Sequence, residues 1–136
     1  MKRLSVGYAS MIDPALFLLR VWFGLLLFFK HGLDKVLHFN RMSGHFADPF
    51  HIGSTASLIL VVLAEAVCAL LVALGLWTRL AAAVVVINLT VAFGFAHHFH
   101  LFGEHNGELA FAYLGAFLTL CITGAGRWSL DGFRGR

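Results

Sequence analysis

The stretch that decides the fold is residues 56–77, ASLILVVLAEAVCALLVALGLW, an apolar run of 22 positions interrupted by a single carboxylate, Glu65. As a helix it is about 33 Å long at ~1.5 Å per residue, enough to cross a hydrocarbon core of about 30 Å. Its apolar residues show no polar face, so the surroundings of this helix are apolar on every side, as lipid is. A carboxylate in that setting costs a few kcal/mol by insertion scales (~2.5–3.5) and turns towards the interior of a helix bundle, where it finds a partner.

Working outward, the same composition recurs three times. Residues 14–39, 80–96 and 108–123 are apolar runs of comparable character, and together with 56–77 they predict an all-α membrane protein, a four-transmembrane-helix bundle. The chain of 136 residues is 60% hydrophobic and 12% charged, with 14 phenylalanines, which excludes an ordinary water-soluble domain. No repeat, low-complexity tract or linker divides it, so residues 1–136 read as one membrane domain. Asp13-Pro14 supplies an N-cap acid and a first-turn proline for the first span. Gly53-Ser54-Thr55 precedes the second, Thr78-Arg79 is a tight turn into the third, and Gly124-Ala125-Gly126 ends the fourth.

The net charge of +3 is spread thinly, without the basic stripe and interleaved aromatics of a nucleic-acid surface, and no nucleic-acid partner is expected. The basic residues orient the chain instead. Lys2, Arg3, Arg79, Arg127, Arg134 and Arg136 lie on the side of both termini; the opposite loops carry Arg41, with Lys30 and Lys35 near the end of span one. The positive-inside rule therefore places both termini in the cytoplasm. His31, His38, His45, His51, His97, His98, His100 and His105 all fall on the other side, facing the periplasm or exterior.

Within the spans, Arg20, Lys30, Asp34, Lys35, Glu65 and Asn88 are the polar groups to explain. Counting ~1.5 Å per residue puts Glu65 about 13 Å from the outer boundary and Asn88 about 13 Å from the inner one, so the two meet near the midplane. Arg20, about 9 Å above the cytoplasmic boundary, reaches towards Glu65 or snorkels the other way. Arg20, Gly24, Leu27, His31, Asp34, Lys35 and His38 follow three- and four-residue steps and form one stripe of span one, expected to meet Glu108 at the start of span four. Such groups either form a proton-handling site or clasp the helices in register.

His97, His98, His100 and His105 crowd the loop after span three and offer ligands for zinc, copper or a haem iron, but HExxH and cysteine ligands are missing from the sequence. Interfacial histidines without metal are the simpler reading. Cys68 and Cys121 lie in separate spans with no CxxC, so thiol redox chemistry has little support and packing is their expected role. Trp77 and Trp128 read as interfacial anchors.

Arg20 with Gly24, His31-Gly32-Leu33-Asp34-Lys35, Glu65, then Leu74-Gly75-Leu76-Trp77-Thr78-Arg79-Leu80-Ala81 and Gly124-Ala125-Gly126-Arg127-Trp128-Ser129-Leu130-Asp131 resemble, in order and spacing, the successive signatures of the DoxX family. The resemblance implies a four-helix bacterial inner-membrane protein. Some relatives are similar to the quinone-reducing membrane subunit of a thiosulfate oxidoreductase, and others are linked to oxidative-stress complexes. It thereby implies a redox component with a quinone in the bundle. In that case Arg20, His31, Lys35, Glu65 and Asn88 line the site, Glu65 or His31 takes protons, Glu108 adds a polar contact, and the cations stabilise a semiquinone or an oxidised sulfur anion. Electrons then come from a redox partner or a substrate, since no flavin, iron–sulfur or c-type haem motif is present in the sequence. Two other classes fit the same residues: a non-catalytic membrane anchor or assembly subunit, and a metal-handling protein using the outer histidines. Homo-oligomer formation is left open.

Overall fold

The computed structural model describes residues 2–103 and 107–135, with side chains from residue 11 onward. The described residues form helices and connecting turns. The first helix, α1, is continuous through Lys2–Leu27, a π-helical segment Phe28–Gly32, and Leu33–Leu37. A short turn of helix, α2, covers Phe39–Met42. Helix α3 comprises Ser54–Val62, a second π segment Leu63–Cys68, and Ala69–Leu74. Helices α4 (Thr78–Phe95), α5 (Glu108–Thr123) and α6 (Leu130–Arg134) complete the chain.

Three of these stretches, Met11–Leu37, Ser54–Leu74 and Thr78–Phe95, are long and apolar enough to cross a membrane, and Glu108–Thr123 is a shorter apolar helix. At 16 residues α5 is about 24 Å long, below the ~30 Å core. The later spans lie close to their expected bounds. The first does not. Its helix already runs from Lys2, with Pro14 inside it, so Asp13 is no N-cap; the Asp13 carboxylate instead accepts the backbone N–H of Arg127 at 2.7 Å. The expected span to residue 39 also stops earlier, because His38 leaves the helical region (φ −107°, ψ 20°).

Helices in lipid gain no hydrophobic driving force from touching one another, so their contacts depend on close packing. Helix α1 lies against α3 through Gly24 and Gly32. A Cβ at Gly24 would come within 2.8 Å of the Ala69 carbonyl oxygen, and one at Gly32 would overlap the backbone of Glu65 and Ala66. The two π segments thus touch where α1 and α3 cross. Alanines 69, 81 and 82 allow similarly close approach, and Leu27, Val72, Val85, Phe117 and Leu120 fill the fully buried core between α1, α3, α4 and α5. Helices α4 and α5 form the most extensive pair, whereas Ser54–Val62 of α3 has little contact with α4, so that hairpin splays towards the histidine-bearing end.

At the end that holds the tail, α3 closes with Gly75 in the left-handed region (φ 72°), and the N–H groups of Gly75 and Leu76 return to Val72 and Leu71. A side chain there would strike Ser129 and the guanidinium of Arg20, so glycine is required by space as well as by φ.

Candidate functional site

Two buried polar centres stand apart in the fold, one at the tail end of the helices and one midway along α3 and α4. The first is built on Arg20, only 2% exposed, which donates to the backbone carbonyls of Ala73 and Trp128 and lies 5.0 Å from the Phe17 ring centroid. Around it the tail is stitched to the helix ends. The Asp131 carboxylate accepts the N–H groups of Trp77 (2.8 Å) and Thr78 (2.9 Å) and the Thr78 hydroxyl (2.8 Å), capping α4 from 53 residues away, and the Asp131 N–H donates to the Gly75 carbonyl. Desolvation pushes the Asp131 carboxyl up, but the Thr78 and Trp77 hydrogen bonds and the charge of Arg134 outweigh it and hold the group below its ordinary value.

The second centre is formed where the π segments meet. Glu65, 7% exposed, receives Lys35 Nζ at 2.6 Å on Oε2 and Asn88 Nδ2 at 3.0 Å on Oε1. The carboxylate is therefore shared between a cation from α1 and an amide from α4. Lys35 Nζ also lies 3.5 Å from the His31 carbonyl oxygen. Local widening explains why these groups face one another. In α1 the N–H of Leu33 bonds back five residues to Phe28, and in α3 that of Ala69 bonds back to Ala64, a pattern frequent at functional sites.

Beside this ion pair lies a cavity of about 630 Å³, inside the range of small-molecule sites. Lys35, Glu65 and Asn88 are its polar floor; Leu60, Val61, Val84, Ile87 and Val91 are among its apolar walls; Asp48 and Ser57 are at its rim. Asp48 accepts from the N–H of Ile52 (3.0 Å) and Gly53 (2.7 Å) and from Ser57 Oγ (2.8 Å). The site offers hydrogen-bond donors, a carboxylate and an apolar slot.

The structure brings Glu65, Lys35 and Asn88 together at the cavity, keeps His31 within electrostatic reach of Glu65 and Lys35, and places Arg20 and Glu108 elsewhere. Arg20 turns away from Glu65 to the tail end. His31 packs its ring edge-on against Tyr113, with centroids 6.0 Å apart, and is not a wall of the cavity. Glu108 opens α5 in an exposed position, also off the cavity. Asp34 pairs with His38 at 2.9 Å near the surface. Of the histidines considered as metal ligands, His97, His98 and His100 are described and His105 lies outside the described residues. Among the described residues no three His, Cys, Asp or Glu side chains gather to hold an ion. Asp48, Ser57 and Tyr113 were missed by the sequence reading. For Asp48 the signal was present, since Asp-Pro followed by Gly-Ser marks a turn whose acid bonds the backbone ahead of it.

The model of the DoxX family matches residues 15–98, which includes α3, α4, Lys35, Glu65 and Asn88. The chain belongs to the DoxX family. The matched region stops before α5, so the tail strings around Arg127 and Asp131 lie beyond it. No curated protein and no solved structure matches the chain. As a DoxX family member it is a multi-pass membrane protein by its apolar helices, in contact with the lipid bilayer.

Proposed function

We propose that this DoxX protein is the membrane component of a quinone-linked redox unit of the bacterial inner membrane, with α5 as a fourth span, both termini cytoplasmic and the histidine-rich loops outside. One observation carries the reading: a carboxylate, an ammonium and an amide converge at the floor of an otherwise largely apolar cavity within the spans. A quinone head group has two carbonyl oxygens on an apolar ring. Lys35, with three N–H donors, and Asn88, with two, each keep donor capacity beyond the bond to Glu65 and so can hold such a carbonyl. In this reading Glu65 exchanges a proton with it, and low local polarity strengthens both effects. Electrons for reducing a quinone must be delivered by a partner protein or a reduced substrate. Orientation rests on the distribution of Lys and Arg.

The test uses the purified full-length protein in lipid nanodiscs. Native mass spectrometry is expected to show a co-purified quinone, and a short-tailed quinone is expected to bind saturably, with Glu65→Gln weakening it about tenfold, ~1.4 kcal/mol. Absence of both the co-purified lipid and saturable binding, with a partner protein recovered instead, overturns this reading in favour of a non-catalytic anchor.

A further inference from the structure

The cavity has two polar zones with different surroundings. Its floor is the Lys35–Glu65–Asn88 group; its rim, eight residues away along α3 at Ser57 and so about 12 Å distant, is the segment from Phe46 to Ile52. That segment is tied at both sides. Asp48 binds it to Ser57 and to the backbone that enters α3, Thr55 Oγ1 donates to the Ser43 carbonyl at 3.1 Å, and Phe50 stands edge-on to Phe95 of α4 with centroids 5.7 Å apart. Pro49 further restricts its backbone. Desolvation raises the Asp48 carboxyl, yet the hydrogen bonds from Ser57, Gly53 and Ile52 and the charge of His51 bring it below its ordinary value, so the tie is ionised at neutral pH.

Phe50 and Ile52 of this rim are themselves 57% and 50% exposed, so what sets the flank apart is its lack of such polar ties and not its exposure. Leu60, Leu63 and Ile87 line the cavity and are 53%, 44% and 66% exposed. They lie within the two stretches apolar enough to span a membrane, where the Ser54–Val62 part of α3, which holds Leu60 and has little contact with α4, passes into the Leu63–Cys68 part that does touch it.

We propose that the Phe46–Ile52 segment is a fixed cap against water and that the gap between α3 and α4, lined by Leu60, Leu63 and Ile87, is a portal from the lipid, so that the ligand of the Lys35–Glu65–Asn88 floor is a bilayer-borne molecule whose apolar tail lies in the portal. A small water-soluble anion, such as an oxidised sulfur species, is excluded by this route. The inference deepens the functional reading above and rests on the same floor as the ligand site, but its test does not need the ligand.

A nitroxide is placed on Val61→Cys, in the cavity wall, in full-length protein carrying Cys68→Ala and Cys121→Ala, reconstituted in nanodiscs. Collisions with oxygen, which partitions into lipid, and with a neutral nickel chelate, which stays in water, are measured against a label on the exposed loop residue Gly44. The expected result is frequent oxygen collision at position 61 and nickel collision below about one-fifth of that at position 44, since water does not enter hydrocarbon. Nickel collision above that fraction in the capped protein overturns the proposal. A second variant, Asp48→Ala with Phe50→Ala, is expected to raise nickel access at position 61 at least about threefold as the rim opens to water; a smaller rise overturns the role of the cap. Low nickel access together with no quinone binding refutes the redox reading and leaves the portal standing, whereas quinone binding with high nickel access does the reverse.

Discussion

Arg20 and Glu65 are both buried charges in membrane-crossing helices, yet their surroundings are opposite. The arginine is spent on the backbone: its guanidinium joins the end of α3 to the tail through two carbonyls, beside an aromatic ring and a glycine that leaves it just enough room. The glutamate is held by side chains, Lys35 and Asn88, and borders open space. A charge enclosed by backbone acceptors fixes geometry; one held by side chains at the wall of a cavity remains available to a ligand. Burial of a charge inside a membrane protein is thus a weak guide to function until its partners and the space beside it are known.

The contrast can be broken in order of expected effect. Arg20→Ala leaves the Ala73 and Trp128 carbonyls without their donor and should destabilise the fold by about 2–5 kcal/mol, at ~1–3 kcal/mol for each orphaned acceptor, measured by denaturant titration in mixed micelles. Arg20→Lys should recover only part of this, because an ammonium lacks the planar fork that reaches two carbonyls at once. Full recovery by lysine would show that the site needs only charge. Gly32→Ala drives a methyl into the Glu65 backbone and should cost about 1–3 kcal/mol while separating Lys35 from Glu65. An unchanged melting temperature would show that the crossing of α1 and α3 is looser than described. Glu65→Gln keeps an amide oxygen that can still accept from Lys35, so it should leave stability closer to the parent than Arg20→Ala does and act mainly on ligand affinity. Equal loss of stability in the two variants would erase the distinction drawn here.

The smallest effect belongs to Asp131. Its carboxyl is held below its ordinary value, so its stabilising contribution is present at and above the usual carboxylate range and disappears as pH falls through the lowered value. Asp131→Asn should lower stability by about 0.5–1 kcal/mol at neutral pH and remove this part of the acid-side decline, as followed by melting temperature against pH.

Three spans were legible because lipid imposes a simple demand, a long apolar helix, and residues 56–77 meet it without ambiguity. The meeting of Glu65 with Asn88 was legible for the same reason, from depth along two spans. What escaped was long-range or conformational. Asp13-Pro14 has the local chemistry of a helix start, but the Asp13 carboxylate serves Arg127, 114 residues away, and no local pattern announces that. The stripe from Arg20 to His38 assumed an unbroken α repeat; Arg20, Gly24 and Leu27 follow it into the core, and beyond Phe28 the face changes, so that Gly32 is buried and Asp34 is exposed. Helix propensities do not separate π from α hydrogen bonding, and the two π segments lie where α1 packs against α3.

The widened turn at Phe28–Gly32 gives the first helix two independent halves. One added residue changes the angular phase of everything after it by roughly 100°, the rotation per residue of an α-helix. Deleting a single residue there would leave the Arg20 half seated as before and swing the lysine of the other half off its glutamate. The two halves of this helix can therefore change separately, with the spacing of one turn acting as the joint between the tail-end scaffold and the pocket.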